Sequence, residues 1–206
     1  YGLTFDGNEL IDCGNNSSLN ITSTITLSAW VKPTTAITSQ NFPMFVAKGI
    51  NSDYMLFANS GTGTARMRLG ASYLIDSVST ISTDVWTHVV GTYDGSNLRI
   101  YLNGVLDNTV SQTGAIPSTS GNLQIGAANA GNKFTGNISE IAVFDYALSS
   151  TQISTLYGSS SLGSASPLAL KPAPVAFYPL GDNSSGNPLT QPNEAVEDAS
   201  VFNFST

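Results

Sequence analysis

Charge is scarce in this sequence. Only 10% of the 206 residues are Asp, Glu, Lys or Arg, and 14 acidic residues outnumber 7 basic ones, which gives a net charge of −7. A surface of this sign repels polyanions, so we expect no nucleic-acid partner. Apolar runs are also short: none approaches the roughly 20 residues that a membrane-spanning helix needs. We therefore expect no membrane insertion.

Cysteine and histidine each occur once, as Cys13 and His88. A lone cysteine excludes an intrachain disulfide, so the fold must be stabilised by its core. A Ser-His-Asp mechanism would require His88 to lie exposed beside a nucleophile. His88 instead lies within a strand pattern, which favours a packed histidine that is hydrogen-bonded across a sheet.

The clearest structural signal is a meander over residues 86 to 110. Val89 and Tyr93 fall on one side of a strand and Val90 on the other, and a second alternating strand follows from Leu98. The dipeptide Asn103-Gly104 then suits a type I′ turn, because both residues tolerate positive φ. The pattern predicts three antiparallel strands.

Other segments extend this all-β pattern. Over residues 25 to 32, Ile, Leu, Ala and Val alternate with Thr, Ser, Trp and Lys, which predicts a half-buried strand. Arg66 and Arg68 alternate in the same way and should share one face. A single short helix is predicted near residues 149–157, where Ser149 and Gln152 have the spacing of a capping box. Short strands with little helical periodicity indicate a β-sandwich.

Four stretches resemble the laminin-G-like family of the concanavalin A-like lectin/glucanase superfamily. They are WTHVVGTYDGSNLRIYLNGV at 86 to 105, LTFDG at 3 to 7, ITLSAWVKP at 25 to 33 and FTGNISEIAVFDYALSSTQISTLY at 134 to 157. The resemblance implies a two-sheet antiparallel jelly-roll sandwich over residues 1–157. The related glucanases carry a Glu-x-Asp-x-x-Glu strand, which this sequence lacks, so we expect no enzyme activity.

The end of the chain departs from the family's order. Residues 158–174 are rich in Ser, Gly, Ala and Pro and predict a linker. Residues 175–206 resemble the strand segment that opens domains of this family. We expect this segment to complete a neighbouring subunit's sandwich, giving a head-to-tail fibre. Two alternatives stay open: the segment completes its own sandwich, or the chain is a fragment of a tandem array. The expected assembly residues are Val175, Phe177, Tyr178, Leu180, Val201, Phe202 and Phe204.

The resemblance also implies binding sites. Family members often hold calcium between the opening strand and a late strand, which points to Asp6 and Glu140, although Ser139 stands where the family often has Asp. Glycans would be bound by rim loops, because sugars stack on aromatic rings and hydrogen-bond to amides. The candidate glycan ligands are Asn51, Asp53, Tyr73, Asn129 and Asn132.

These observations favour a non-catalytic structural or adhesion module from an extracellular, cell-surface or virion-surface protein. Its expected partners are copies of itself and surface glycans. The alternative is a monomeric, lectin-like carbohydrate-binding module of a secreted protein. A glycoside hydrolase is the remote alternative.

Overall fold

The computed structural model describes residues 2–128, 131–158 and 165–181 and the backbone of residues 203–204. Two antiparallel sheets of seven strands pack face to face, which confirms the predicted sandwich. Sheet A contains β1 (Leu3–Asp6), β12 (Thr135–Phe144), β3 (Ile25–Pro33), β8 (Thr87–Tyr93), β9 (Asn97–Leu102) and β10 (Val105–Ser111), in that order, and β13 (Ala176–Tyr178) also pairs with β12. Sheet B contains β14 (Asn203–Phe204), β2 (Ile11–Asp12), β11 (Leu123–Ile125), β4 (Met44–Lys48), β5 (Tyr54–Asn59), β6 (Thr64–Leu69) and β7 (Tyr73–Thr80).

Strand β3 shows how alternation builds the core. Its apolar set, led by Ile25 and Leu27, lies fully buried between the two sheets. On the opposite face Thr26 and Ser28 are buried as well. The sequence predicted a half-buried strand, but the outer face of sheet A is covered too. The cover is a helix.

This helix, α1 (Ser150–Tyr157), begins at the predicted capping box. The Ser149 side chain accepts from the Gln152 backbone N–H, and the Gln152 side chain accepts from the Ser149 N–H. Ile153 and Leu156 pack on the outer face of sheet A, where they meet Val90 and other apolar residues. In the parts of the chain described above, neither this helix nor any other has the length and apolar character to cross a membrane.

The β9–β10 turn has the expected type I′ signs of φ, with 50° at Asn103 and 78° at Gly104. The glycine is required for packing as well as for conformation. A Cβ at position 104 would lie 2.9 Å from the Tyr157 Cβ. The turn therefore needs glycine so that the end of α1 can approach the sheet.

The C-terminal segment folds back on its own sandwich. In β13, Ala176, Phe177 and Tyr178 pair with Val143, Ala142 and Ile141 of β12. The Val175 N–H donates to the Val143 carbonyl at 2.8 Å, and the Pro179 carbonyl accepts from the Glu140 N–H at 2.9 Å and the Ser139 hydroxyl at 3.0 Å. In this chain the segment therefore pairs with its own sandwich, as in the self-completion alternative, and the head-to-tail donation that the sequence favoured has no support here and stays a prediction.

Strands β13 and β1 lie end to end along one edge of sheet A. Strand β1 pairs with residues 135–138 of β12 and β13 pairs with residues 141–143, both antiparallel. The two strands therefore run in the same direction, and β13 comes first. The segment resembling the family's opening strand thus lies ahead of β1 in space, although it follows β1 by about 170 residues in the chain.

The side chains of this segment complete both sides of the sheet. Val175, Tyr178 and Leu180 pack against the main core, whereas Phe177 packs against the outer cluster beneath α1. The backbone of Phe204 pairs with Ile11 through β14. Two further predicted assembly residues, Val201 and Phe202, lie outside the described residues.

The second half of the predicted linker lies against the sandwich. Pro167 is buried in a 3₁₀ turn over Pro167–Ala169, and Leu170 packs against the outer cluster. The Tyr146 hydroxyl donates to the Pro172 carbonyl at 2.5 Å. These contacts lead the chain along its own sheet A to β13.

Candidate functional site

His88 is a packed residue. It is 1% exposed, and its ring stacks on Trp30 and on Tyr157, with centroids 5.0 and 6.2 Å apart. Its Nε2 lies 2.9 Å from the Ser28 hydroxyl across the β3–β8 ladder, and its Nδ1 has no hydrogen-bond partner in the described part of the chain. Burial lowers the pKa of His88 to about 3, so the ring is neutral at pH 7. The predicted packed histidine is confirmed.

The two predicted calcium ligands lie apart. Asp6 pairs with Thr135 on β12, and Glu140 is five residues further along that strand, a separation of roughly 16 Å. The Asp6 carboxylate accepts from the Asn8 N–H at 2.9 Å and so shapes its own turn. At this separation Asp6 and Glu140 would not share one ion, and calcium binding through Asp6 stays a prediction. Within the described ranges no group of three or more His, Cys, Asp or Glu side chains is placed to hold a metal.

Asp53 is structural rather than available to a ligand. It is 1% exposed, and its Oδ2 accepts from the Lys48 Nζ at 2.8 Å and from the Thr119 N–H at 3.0 Å. Lys48 is also fully buried and donates to the Thr119 carbonyl at 2.9 Å. This ion pair and its bonds to Thr119 anchor the loop that follows β4. Because Asp53 is buried there, the prediction that it contacts a glycan is corrected.

Asn51 and Tyr73 lie at the same end of sheet B as Asp53. The exposed Asn51 accepts from Arg68 Nη1 at 3.0 Å, and Arg68 also donates to the carbonyls of Gly70 and Ala71 at 3.0 and 2.8 Å. Tyr73 opens β7 and packs partly against the core. The polar groups of this corner mainly bind one another.

Asn132 lies at the opposite end of β4. Its carbonyl accepts from the Met44 N–H at 3.1 Å, and its side chain accepts from the Asn41 amide at 3.3 Å. Asn129 lies outside the described residues. Because Met44 and Lys48 are the two ends of β4, the predicted ligand residues do not form one site.

Phe42, which follows the Asn132 partner Asn41 in the chain, is an exposed aromatic residue that the sequence patterns did not indicate. Phe42 is 38% exposed and has φ of 45°, a left-handed conformation that is rare for a bulky residue. Its ring meets Phe57 edge to face, with centroids 6.4 Å apart. Strained residues of this kind concentrate at ligand-binding loops.

The loop that holds Phe42 is fixed on both sides. Gln40 accepts from the Thr135 N–H at 2.9 Å and donates to the Thr35 carbonyl at 2.8 Å. Beyond Phe42, the Pro43 carbonyl accepts from the Ala58 N–H at 3.0 Å. An exposed ring on a loop tied in this way is ordered before any ligand arrives, which lowers the entropy cost of binding.

Paired charges lie next to Phe57. The Arg66 guanidinium is 5.9 Å from the centre of that ring and donates to both carboxylate oxygens of Asp76, at 2.5 and 2.7 Å. Asn59 donates to Asp76 at 3.2 Å, and the hydrogen bond to Asp76 raises the pKa of Arg66. Arg66 and Arg68 share the outer face of sheet B, as predicted. We define the Phe42 surface as Asn41, Phe42, Phe57, Asn59, Arg66, Asp76 and Asn132.

Comparison with solved structures finds similar folds in carbohydrate-binding proteins. A Bacteroides ovatus protein, assigned provisionally to carbohydrate binding, shares 18% identity with a TM-score of 0.63 over 87% of this chain and 52% of its own. Domain 4 of AbnA, an extracellular GH43 arabinanase from Geobacillus stearothermophilus solved with arabinotriose, shares 19% identity with a TM-score of 0.61 over 73% of each chain. The CBM40 domain of the Ruminococcus gnavus IT-sialidase, bound to α2,3-sialyllactose, shares 17% identity with a TM-score of 0.57 over 77% of this chain and 96% of its own.

At these identities the likeness establishes the fold alone. The chain spans about half the length of the Bacteroides ovatus protein, so that whole protein's role does not transfer. Comparison with curated protein sequences gives no match. A family model, however, matches residues 5–154, which is most of the sandwich and leaves β13 outside. The chain therefore belongs to the laminin-G-like family of the concanavalin A-like lectin/glucanases superfamily.

Proposed function

We propose that this chain is a non-catalytic carbohydrate-binding module of an extracellular protein, and that the Phe42 surface binds the sugar. The observation on which the proposal depends is the exposed Phe42 ring on a hydrogen-bonded loop. Sugars place their C–H faces on aromatic rings and use hydroxyl groups to bind amides and charged side chains. Asn41 and Asn132 supply the amides beside this ring.

The polar groups of the Phe42 surface suit positioning rather than bond cleavage. A glycosidase uses one carboxyl group as a proton donor and a second as nucleophile or base. Asp76 is instead held by two nitrogens of Arg66 and by Asn59, so its carboxylate oxygens are already engaged in fixed hydrogen bonds. The carbohydrate-binding neighbours, one of them part of an extracellular arabinanase, support a secreted module of this class.

The proposal is tested by replacing the ring. Phe42→Ala should weaken binding to any oligosaccharide that the native chain binds by roughly tenfold, because one stacked ring contributes about 1.4 kcal/mol. Isothermal titration against a panel of plant and animal oligosaccharides measures the change. Val105→Ala is the matched control, since Val105 is 69% exposed on β10 and lies outside the Phe42 surface.

The two variants should have the same melting temperature as the native chain, within a few degrees. Equal loss of affinity in both variants, or none in Phe42→Ala, would place the sugar elsewhere. Failure of the native chain to bind any member of the panel would refute carbohydrate binding itself.

A further inference from the structure

We infer that the Phe42 surface selects uncharged saccharides over carboxylated or sulfated ones. This inference rests on the proposed function and names the class of sugar that the site takes. Its basis is the way in which the cationic side chains on the outer face of sheet B are already bound.

Arg66 is the cation of the Phe42 surface, and its charge is matched. Two of its nitrogens, Nε and Nη2, contact the two carboxylate oxygens of Asp76. The side chains of Arg66 and Asp76 are 20% and 31% exposed, so the pair can be reached by a ligand but is not fully hydrated. To bind Arg66, a sugar carboxylate would have to displace Asp76. The new bidentate pair would be no stronger than the Arg66–Asp76 pair that it replaced.

The neighbouring cations are bound too. Arg68, two residues along the same face, donates to the Gly70 and Ala71 carbonyls and to Asn51. Lys133, which directly follows Asn132, donates to the Asn8 carbonyl at 2.9 Å. An anionic sugar that approaches this face therefore meets paired or internally bonded cations, within a protein whose net charge is −7.

A neutral sugar has no such competition. Its hydroxyl groups can donate to the outer lone pairs of Asp76 and accept from Asn59 or Asn41 without separating the Arg66–Asp76 pair. Phe42 then contacts the apolar face of the ring. The surface offers hydrogen bonds and one aromatic face with nearly balanced charge, which is the complement of an uncharged saccharide.

The first experiment compares matched neutral and acidic sugars on the native chain. Titration with lactose and 3′-sialyllactose, and with galactose and galacturonate oligomers, should give at least tenfold tighter binding to the neutral member of any pair that binds. Affinity should change less than twofold between 50 and 500 mM NaCl. Tenfold preference for an acidic member, or binding that weakens steeply with salt, would overturn the inference while leaving carbohydrate binding intact.

The second experiment frees the arginine. Asp76→Asn keeps the shape of the side chain but removes the charge that matches Arg66, so binding of the acidic oligosaccharides should rise at least tenfold and become salt-sensitive. Asp94→Asn is the control, because it frees Arg99 from an ion pair of similar exposure on sheet A. A gain in both variants, or no gain in Asp76→Asn that melts like the native chain, would refute the role of the Arg66–Asp76 pair. No binding of any sugar by either variant or the native chain would refute the inference together with the proposed function.

Discussion

At the scale of single residues, the titratable side chains best suited to catalysis or ligand binding are buried and stabilise the fold. His88 is enclosed by Trp30 and Tyr157, and Lys48 and Asp53 are paired in the core. Each is buried, and each has its polar groups bound mostly within the protein, so ligands cannot reach them. A buried ion pair adds little net stability, but it fixes the loop geometry around it.

Acid should destabilise the protein partly through His88. The unfolded chain takes up a proton near pH 6.5, whereas burial keeps the pKa of the folded His88 at about 3. The free energy of unfolding therefore falls as the pH drops from 6.5 towards 3, by up to about 1.4 kcal/mol per pH unit from this residue. Urea unfolding between pH 7 and pH 4 measures the slope.

Replacement of the single histidine isolates its share of this slope. His88→Gln should unfold more easily at pH 7 but should lose less stability on acidification. Thr155→Ala, an exposed helix variant that keeps His88, should retain the native slope. Identical slopes in His88→Gln and the native chain would show that His88 gains its proton equally in both states.

At the scale of elements, two exposed edge strands protect each other. Strand β7 ends sheet B and β10 ends sheet A on the same side of the sandwich. A bulge in β10 between Leu106 and Asn108 places Asp107 where its carboxylate accepts from the backbone N–H groups of Val78 and Ser79. The apolar residues nearby, including Val85 and Val105, rim a cleft of about 340 Å³. An unpaired strand edge beside exposed valines would invite association.

Loss of the Asp107 carboxylate should therefore leave the backbone N–H groups of Val78 and Ser79 unpaired at an aggregation-prone strand edge. We expect Asp107→Ala to lower the free energy of unfolding by about 1 kcal/mol, because two N–H groups lose their protein acceptor. It should also raise the rate of aggregation on mild heating, measured by light scattering. Asp145→Ala removes the same charge from an exposed site that directly follows β12 and should behave like the native chain. Equal aggregation of the two variants would attribute the effect to net charge alone.

Local patterns predicted the elements well and the site poorly. The Asn103-Gly104 turn and the Ser149 capping box depend on neighbours within a few residues, so their sequence signals suffice. Asp53 is buried, and its carboxylate accepts a hydrogen bond from Thr119, 66 residues away in the chain. The loop of Phe42 is held through Gln40 by Thr135, 95 residues further on. Which polar loop residue is buried and which aromatic residue is displayed therefore depends on contacts that spacing does not encode.

At the scale of the whole molecule, the strand order differs from the order of the chain. Strand β13 lies ahead of β1 on the same edge of sheet A, so the C-terminal segment fills the place of an opening strand. The contacts of β13 are with its own chain, and the preceding residues 165–174 follow the surface of the same sandwich. This arrangement is a circular permutation of the order that the family resemblance implies. It needs no second subunit to cover the edge.

A disulfide across β12 and β13 tests this arrangement. Val143 and Ala176 are ladder partners, and antiparallel partners lie about 4.5 to 5.5 Å apart, within reach of a disulfide. In a Cys13→Ser background, the double variant Val143→Cys/Ala176→Cys should oxidise within one chain and migrate as a monomer on a non-reducing gel. The single variant Ala176→Cys should remain a thiol at low protein concentration and serves as the control. A ladder of covalent multimers from the double variant would show that β13 pairs with a neighbouring copy, as in head-to-tail donation, and would contradict self-completion.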